Sequence, residues 1–519
     1  MFNLAMAVSH TAQTRPHRLA VVSAEESWTF AELEDHISRA AGGLRNAGLM
    51  PGDTVALSLP TSPEFVVSYY AVLRAGLTVA PMAPYSSARE VRHALGTCGA
   101  RALVTLDGSR PEGSDDLTVL SLSGLVEHSA DDGAESLTAR SPEDVAAVIF
   151  TSGTTGAAKA AQLTHWNLWM SCTALLSRSQ PTADDVVLAS LPLHHVFGMS
   201  GLMNAAMTWG MTLVLQPRFE AAEALDLIEE HRVTRFSGVP TMFLDMIRQG
   251  VGERDLSSLR HVTSGGSALP PGVLEDFENL IPSATLLEGY GSSETTSSVC
   301  VNSSRARRRP GSVGTPSWGT QMRVVSDDGT PLPPGPEHVG ELQICGPTVF
   351  AGYAGDPDAT SAAFDGDWLR TGDLAWIDPE GYVHLVDRRS NMIIRGGLNV
   401  YPAEVEHVLT SHPDVVEAVV LGQPHERLGQ EIAALVVPCR PTAEMTAPER
   451  ARLLEGIDQH ARQELAPYKR PRQTHLVDSL PRTAAGRSFD LQPGACWRSG
   501  SSTPRDPPPR STHPRSLTS

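Results

Sequence analysis

The sequence predicts an α/β protein. It has a large N-terminal domain of stacked, mostly parallel sheets with helices, a small β-rich subdomain, and a small α+β domain near the C-terminal end. Helix and strand patterns alternate to about residue 290, which is typical of parallel sheets connected by helices. From residue 311 to about residue 390, short strand patterns lie between Gly and Pro turns. After residue 390 the pattern returns to mixed helices and strands.

The first helix and strand signals lie near the N-terminus. Residues 29–49 carry apolar side chains at helical spacing, and Thr29 with Glu32 three positions later predicts a capping box at the helix start. Residues 55–60 (VALSLP) predict a strand. Residues 64–76 predict a helix that ends at a glycine.

Short apolar runs predict the strands that follow. Residues 102–106 and 145–152 are almost entirely apolar, as in parallel strands buried on both faces. In the β-rich region, strands are predicted at residues 321–326, 340–345 and 381–387. Beyond it, Pro402 opens a predicted helix (YPAEVEHVL), in whose first turn a proline is tolerated.

Composition and charge exclude several classes of function. Of 519 residues, 41% are hydrophobic and 19% are charged, which is normal for a soluble folded protein. Lys and Arg number 41 against 59 Asp and Glu, and the net charge of −18 argues against binding to nucleic acid or to anionic membranes. No apolar run approaches the roughly 18 residues that span a bilayer.

The termini and the cysteines indicate a cytoplasmic protein. The N-terminus lacks a basic region ahead of an apolar core, so we expect no signal peptide. The six cysteines form no C-x-x-C pair, which argues against a zinc site or a disulfide framework and favours a reducing compartment. From about residue 488 to residue 519 the chain is rich in Pro, Ser and Arg, and we expect that tail to be disordered.

A loop rich in glycine and hydroxyl residues follows the apolar run at 145–152. Residues 151–159 read TSGTTGAAK, and Lys159 is one of only two lysines in the chain. Glycines let the backbone approach an anion, while hydroxyl and N–H groups supply donors. The spacing differs from that of a Walker A loop, in which Ser or Thr follows the lysine. The loop therefore predicts a phosphate site, with a flexible surface loop as the alternative.

Three more motifs follow, and together with the loop they indicate a family. They are EGYGSSE at 288–294, WLRTGDL at 368–374 and DRRSNMIIRGGLN at 387–399. In this order and at these separations, the four motifs resemble the adenylate-forming superfamily, which contains acyl-CoA synthetases, aryl-CoA ligases, adenylation domains and beetle luciferases. The resemblance covers roughly residues 10 to 487. It is strongest to the acyl- and aryl-CoA ligase branch.

The resemblance implies a two-step reaction with ATP, Mg²⁺ and coenzyme A. A carboxylic acid, fatty or aryl, attacks the α-phosphate of ATP, and a thiol then displaces AMP from the acyl-adenylate. Because the acid and the triphosphate are both anions, the first step needs positive charge and positioning. Two alternatives stay open: the acceptor is the pantetheine of an acyl carrier protein, or the chain is a catalytically weak nucleotide-binding homologue.

The resemblance also implies three domains and a nucleotide site. The domains are an AMP-binding domain (1–386), a mobile C-terminal lid (387–487) and the tail (488–519). The expected nucleotide-binding residues are Thr151, Ser152, Gly153, Thr154, Thr155, Gly156, Lys159, Gly266, Ser267, Glu288, Gly289, Tyr290, Gly291, Ser293, Asp373 and Arg388.

Several of these residues have implied roles. Tyr290 would stack on adenine, Asp373 would accept the ribose hydroxyls, and Arg388 would contact ribose or phosphate. Glu294 and Thr154 would hold Mg²⁺, which prefers oxygen ligands. Taken singly, Tyr290 could be a packing residue, Asp373 a cap and Glu294 a solvated acid; within the aligned motifs the functional interpretation is favoured.

The implied acid pocket is apolar and lined by small residues. Its expected residues are His195, Phe197, Gly201, Val239, Gly265, Gly289, Gly291 and Ser298. His195 would orient the carboxylate and, with Lys159 and Arg487, make up the expected catalytic set. His194 has no family counterpart. The region lacks the aspartate that amino-acid-activating relatives use to pair with an ammonium group, which disfavours α-amino acids.

The C-terminal part both follows the family pattern and departs from it. Gly396 and Gly397 match a loop that lines the pantetheine tunnel, and Ser390 stands where the family has its hinge residue. The family ends with P-x-T-x-x-G-K, but this chain reads PRTAAGR, so Arg487 replaces the lysine. Either arginine retains the charge with a different reach, or the reading frame is altered near this point. Both alternatives predict a weakened adenylation step.

One basic run lies outside these motifs. Residues 305–309 read RARRR, the densest positive cluster in the chain. It predicts either a contact with the phosphates of coenzyme A or a solvated loop.

Overall fold

The computed structural model describes residues 2–114, 117–127, 137–151, 158–174, 179–270, 272–389, 391–395, 398–425 and 427–480. Several residues of predicted function therefore lie outside the described part of the chain, as does the tail: Ser152, Gly153, Thr154, Thr155, Gly156, Ser390, Gly396, Gly397 and Arg487.

The first sheet carries the strands on which the acid pocket is built. Its strands in chain order are β1 (Leu19–Val22), β2 (Ser27–Thr29), β9 (Val186–Ala189), β10 (Thr212–Leu215), β11 (Arg235–Gly238), β12 (His261–Ser264), β13 (Thr285–Ser292), β14 (Ser297–Val301) and β15 (Thr315–Pro316). The spatial order is β15-β14-β13-β12-β11-β9-β10-β1-β2. The central strands from β13 to β1 pair in parallel, and the outer pairs are antiparallel.

The second sheet carries the predicted phosphate loop. Its strands are β3 (Thr54–Ser58), β4 (Thr78–Pro81), β5 (Ala100–Thr105), β6 (Thr118–Ser121), β7 (Val145–Thr151), β8 (Lys159–Thr164) and β18 (Gly352–Tyr353), in the order β18-β8-β7-β4-β3-β5-β6. The apolar runs predicted as buried strands are β5 and β7, whose interior residues are buried. One large core cluster spans both sheets and the helices between them.

Helices connect and cover these two sheets. They are α1 (Met6–Thr14), α2 (Phe30–Asn46), α3 (Pro63–Arg74), α4 (Ala88–Cys98), α5 (Leu122–Glu127), α6 (His165–Ala174), a π-helix (Phe197–Asn204), α7 (Ala205–Trp209), α8 (Ala221–Glu230), α9 (Pro240–Gln249) and α10 (Val273–Leu280). The predicted capping box is confirmed: Thr29 accepts from the backbone N–H of Glu32, whose side chain accepts in return.

A third, largely antiparallel sheet forms the predicted β-rich subdomain. It contains β16 (Gln321–Val325), β17 (Gly340–Cys345), β19 (Phe364–Asp365), β20 (Trp368–Ile377) and β21 (Val383–Arg388), with α11 (Pro357–Ala363) beside it. The three strand predictions in this region are confirmed by β16, β17 and β21. The subdomain has its own apolar core, which includes Tyr290 and Val299 from the first sheet.

The C-terminal part has a separate α+β core. Its strands are β22 (Ile393–Arg395), β23 (Leu398–Val400), β24 (Val415–His425), β25 (Gly429–Pro438) and β26 (Gln473–Leu476), and its helices are α12 (Pro402–Thr410) and α13 (Ala447–Glu464). Pro402 occupies the first turn of α12, as predicted. The second lysine of the chain, Lys469, lies 2.6 Å from Glu404 in this region and forms an ion pair with it. The mixed α/β architecture with mostly parallel sheets is thus confirmed.

Candidate active site

The predicted phosphate loop connects two antiparallel strands of the second sheet. Thr151 ends β7 and Lys159 begins β8, and the two residues are paired across the ladder. The Thr151 hydroxyl donates to the Lys159 carbonyl at 3.4 Å. The described ends of the loop are therefore fixed side by side, and the glycines and hydroxyl residues between them lie outside the described residues.

A tyrosine links the loop lysine to the predicted magnesium ligand. The ammonium of Lys159 lies 4.9 Å from the centre of the Tyr353 ring, a cation–π contact. The hydroxyl of Tyr353 donates to Oε1 of Glu294 at 2.9 Å. Burial, and then the negative charge of Glu294, raise the pKa of Tyr353 above its usual range, so the hydroxyl keeps its proton. Lys159 and Glu294, far apart in the sequence, are thereby brought to one place.

Tyr353 was not among the residues that the sequence predicted for the active site. It lies 59 residues from Glu294 in the sequence and outside the four motifs. It reaches the site because β18 pairs with β8 beside the loop, with Tyr353 opposite Ala161. The ring is further fixed by an edge contact with Phe350, 4.9 Å between centroids. Sequence spacing alone carries no signal for this arrangement.

A second cluster joins Tyr290, Asp373 and Arg388. Asp373 and Arg388 are paired across β20 and β21, with Arg388 Nε 3.4 Å from Asp373 Oδ1. The hydroxyl of Tyr290 donates to Asp373 Oδ2 at 2.5 Å. Burial, followed by the charge of Asp373, raises the pKa of Tyr290 well above its ordinary value. The structure thus brings these three predicted residues together, and one of them, Tyr290, lies four positions before Glu294 in the sequence.

Tyr290 also packs in a core. Only 9% of it is exposed, and it belongs to the apolar cluster of the β-rich subdomain, with Val299 and Leu342. It is therefore a packing residue whose polar end lies at the site. Its stacking on adenine stays a prediction.

Glu288, the first residue of the motif EGYGSSE, has a raised pKa. It is paired with Ser264 at the carboxyl end of β12. Burial raises the pKa of Glu288 to about 7, although the Gly311 N–H, 3.3 Å away, and the charge of Arg308 act in the opposite direction. Glu288 therefore carries a proton part of the time near neutral pH, so it can donate as well as accept.

The glycines of the motif leave room for close backbone contacts. A Cβ placed on Gly291 would lie 1.6 Å from the carbonyl oxygen of Ser297, so no other residue fits there without moving the backbone. Gly266 has φ +87, in the left-handed region. It follows β12, and Ser267 is exposed beside it.

Residues predicted to line the acid pocket lie on the π-helix and just after β11 and β12. Phe197 begins this helix, and its ring lies against two glycines: a Cβ would be 2.9 Å from it on Gly201 and 3.2 Å from it on Gly265. Val239 is buried just after β11, and Ser298 pairs with Gly291 on β14. π-Helical turns are frequent at functional sites, and this one concentrates the predicted wall residues.

The two histidines precede the π-helix. The N–H of His195 donates to the Pro192 carbonyl, and its carbonyl accepts from Met199 at 2.8 Å, which fixes the backbone of the turn. Burial lowers the pKa of the neighbouring His194 to about 4, so its ring is neutral. The His194 ring contacts the exposed Tyr85 edge-on, at 6.3 Å between centroids. The role of His195 toward a carboxylate stays a prediction.

The RARRR run is held by acids of the same chain. Arg308 forms an ion pair with Glu278, and Arg309 forms one with Glu380. Arg305 donates to the Ala284 carbonyl. Three of its four arginines therefore make contacts within the chain, while the side chains of Arg305 and Arg309 stay 48% and 42% exposed, which is compatible with the solvated-loop alternative.

The acidic residues of the site suit an Mg²⁺ ion that is coordinated mainly by the phosphates of a substrate. No cluster of three or more metal-ligating side chains occurs in the described parts of the chain. Mg²⁺ is usually bound by one or two carboxylates together with phosphate oxygens. Glu294 offers one carboxylate, oriented by Tyr353, next to the predicted phosphate loop. Among the described helices none is long and apolar enough to cross a membrane.

Comparisons with known proteins identify the family of this chain. The family model "AMP-binding enzyme" matches residues 8–354, and "AMP-binding enzyme C-terminal domain" matches residues 404–487. A feruloyl-CoA synthase of Amycolatopsis sp is 34% identical over 484 residues, covering 92% of this chain and 95% of that protein. A long-chain-fatty-acid–CoA ligase of Bacillus subtilis is 31% identical over 525 residues, covering 92% of both chains.

Solved structures are similar over nearly the whole chain. The ATP-bound MatB of Rhodopseudomonas palustris superposes with a TM-score of 0.84 at 30% identity, covering 94% of this chain and 97% of that one. The o-succinylbenzoate coenzyme A synthetase of Bacillus subtilis, in complex with ATP and magnesium, has a TM-score of 0.81 at 30% identity. That match covers 93% of this chain and 98% of the other.

Proposed function

This chain belongs to the family of AMP-binding enzymes, and from that premise we propose that it is an acid–thiol ligase. It activates a fatty or aryl carboxylic acid with ATP to an acyl-adenylate and transfers the acyl group to the thiol of coenzyme A. Its cofactors are ATP, Mg²⁺ and coenzyme A. The observation that carries the proposal is the contact chain from Lys159 through Tyr353 to Glu294.

That contact chain supplies what the first step demands. A carboxylate oxygen attacks the α-phosphorus, the bond to the bridging oxygen breaks, and pyrophosphate leaves with the electron pair. Lys159 places a positive charge beside the phosphate loop, where it offsets the repulsion between two anions. Glu294 would hold Mg²⁺, which neutralises phosphate charge when bound. Tyr353 keeps both groups in place.

The second cluster would hold the nucleoside. Asp373 offers carboxylate oxygens suited to accept from two ribose hydroxyls, and Arg388 Nε lies 3.4 Å from one of them. The hydroxyl of Tyr290 donates a hydrogen bond to Asp373 and so orients its carboxylate. Binding energy from this remote part of ATP positions the α-phosphate for in-line attack. The second step then needs only the thiolate sulfur of coenzyme A to displace AMP from the acyl carbon.

The sequence departure at Arg487 suggests a slow first step. A guanidinium is a planar, bulky group, whereas the family lysine is a compact charge on a flexible stem. We propose that adenylation is weakened and that thiolation is less affected, because the resemblance implies that thiolation uses a different face of the C-terminal lid (387–487). Arg487→Lys tests this, with pyrophosphate release as the readout.

An acid panel tests the proposed function. Acid-dependent ATP–pyrophosphate exchange should appear with at least one fatty or aryl acid and disappear in Lys159→Met. Lys469→Met is the matched control, because this lysine pairs with Glu404 in the C-terminal part. ATP binding with no exchange for any acid would favour the weak nucleotide-binding homologue and refute the ligase.

The acceptor is tested separately. Wild-type protein is supplied with acid, ATP and either free coenzyme A or a carrier protein loaded with pantetheine. Thioester formation with coenzyme A supports the proposal, and formation with the carrier alone favours the alternative. We also propose a reducing, cytoplasmic setting; in support, no disulfide joins the cysteines of the described residues.

A further inference from the structure

The turn that carries Glu294 has a strained backbone. Strands β13 and β14 pair antiparallel, with Ser292 opposite Ser297, and Glu294 lies in the turn between them (residues 293–296). Thr296 has φ +58 and Ser297 has φ +94, both in the left-handed region. That region is unfavourable for a residue with a side chain, and most of all for a β-branched residue such as threonine. Backbone strain of this kind persists only where the surrounding structure fixes it, so other groups must hold this turn in place.

A buried hydroxyl from a distant helix holds the turn. Ser171 lies on α6 and donates to the carbonyl of Thr296 at 2.6 Å. Both residues are buried, with 4% of Ser171 and 0% of Thr296 exposed. Because water has little access to this place, loss of the donor costs more than loss of an exposed hydrogen bond would.

The turn is also held from the segment that leads to Tyr353. The hydroxyl of Thr296 donates to the carbonyl of Thr348 at 2.7 Å. The carbonyl of Glu294 accepts from the backbone N–H of Phe350 at 2.9 Å. Ser171 therefore fixes one side of a turn whose other side is fixed by the segment carrying Tyr353, which orients the Glu294 carboxylate.

The hydrogen bond of Ser171 differs from that of a neighbouring hydroxyl on the same helix. Thr173 donates to the carbonyl of Trp169 at 2.9 Å, one turn back in its own helix. That is the ordinary bond of a serine or threonine inside a helix. Ser171 instead donates to another element, 125 residues away in the sequence. Its hydroxyl therefore joins α6 to the turn.

A second buried serine orients the first. Ser200 lies on the π-helix, is 0% exposed and donates to the hydroxyl oxygen of Ser171 at 3.2 Å. A hydroxyl has one proton, so Ser171 accepts from Ser200 and gives its own proton to Thr296. Hydrogen bonds in such a chain strengthen one another. The same π-helix carries Phe197 and Gly201, which are predicted to line the acid pocket.

We propose that Ser171 is a positioning residue for the Glu294 turn and that Ser200 acts through Ser171. The contact of Ser171 with Thr296 keeps the strained backbone in the conformation that presents the Glu294 carboxylate beside the phosphate loop. The carboxylate is then in place before ATP arrives, as groups behind a metal ligand usually ensure. This inference rests on the proposed function, in which Glu294 would hold Mg²⁺.

The test compares the binding of two nucleotides in the absence of acid, by isothermal titration calorimetry. AMP would report on the nucleoside cluster of Tyr290, Asp373 and Arg388, whereas ATP with saturating Mg²⁺ also reports on Glu294. In Ser171→Ala the Kd of magnesium ATP should rise about tenfold, the effect of one buried hydrogen bond, while the Kd of AMP stays unchanged. Thr173→Ala is the control and should match the wild type for both nucleotides.

Two further variants keep the test informative if Ser171→Ala folds poorly. Ser171→Cys keeps a similar volume but offers only a weak S–H donor, so its Kd for magnesium ATP should lie between those of wild type and Ser171→Ala. Ser200→Ala should raise the Kd for magnesium ATP by less than Ser171→Ala does. The double variant should cost no more than Ser171→Ala alone, because both serines act through one hydrogen bond. Additive costs would show that Ser200 acts separately and would overturn that part of the inference.

The remaining outcomes separate this inference from the proposed function. An unchanged Kd for magnesium ATP in Ser171→Ala, or an equal loss of AMP and magnesium ATP binding, would overturn the inference. Pyrophosphate exchange by the wild type would then leave the ligase function standing. Unchanged magnesium ATP binding in Glu294→Gln would refute the proposed role of Glu294 and this inference with it.

Discussion

Replacing Tyr353 by phenylalanine should weaken the use of magnesium ATP while leaving the fold intact. The substitution removes the hydroxyl that donates to Glu294 at 2.9 Å and keeps the ring that contacts Lys159 and Phe350. The carboxylate of Glu294 then loses the group that orients it. Groups that orient a metal ligand in this way typically change metal affinity or activity by about 10–100-fold when they are removed.

The structure favours the lower end of that range. A hydrogen bond to a charged group contributes about 1.5–3 kcal/mol, and both partners here are only partly buried, so water replaces some of the loss. A cost of about 1.4 kcal/mol corresponds to a tenfold effect. We therefore expect the Mg²⁺ concentration that gives half-maximal pyrophosphate exchange to rise about tenfold in Tyr353→Phe, with a smaller change at saturating Mg²⁺.

The control is another tyrosine that donates a hydrogen bond and contacts a cation. Tyr382 donates to the Arg307 carbonyl at 2.5 Å, and its ring lies 4.8 Å from the guanidinium of Arg309. Tyr382→Phe should leave the Mg²⁺ dependence unchanged. Identical Mg²⁺ titrations for Tyr353→Phe and wild type would show that Tyr353 does not position Glu294, and the reasoning would be wrong.

The remaining predictions concern Arg487, Glu288 and two glycines. Arg487→Lys should increase acid-dependent pyrophosphate release, and equal rates would refute the claim that this position limits adenylation. The raised pKa of Glu288 favours the folded state while its carboxyl is protonated, and this contribution is lost as the pH rises through about 7. Glu288→Gln should therefore be more stable than wild type at pH 8, by on the order of 2 kcal/mol after allowance for solvent, and not at pH 5, as checked by urea unfolding. Gly291→Ala should lower the melting temperature sharply because its Cβ would overlap the Ser297 carbonyl, whereas Gly96→Ala, in open space on α4, should raise stability by about 0.4–1 kcal/mol.

The sequence determined the parts of this protein that depend on neighbours along the chain. The alternation of apolar runs located β3, β5 and β7, and the capping box located the start of α2, because these signals act within one or two turns of backbone. The four motifs were sufficient for the family, because close binding of phosphate and nucleotide restricts residue type and spacing. They also predicted that Asp373 and Arg388 serve one site, and these residues are paired across two adjacent strands.

The tertiary structure alone decided which distant side chains share a surface. Tyr353 meets Glu294 because a two-residue strand adds to the edge of a sheet, and no local pattern encodes that pairing. Ser171 looks like an ordinary helix residue until the packing of α6 places its hydroxyl against the turn that carries Glu294. Contacts of this kind depend on sheet order and register, which arise from the packing of the whole core, whereas helix caps and buried runs depend on a few adjacent residues.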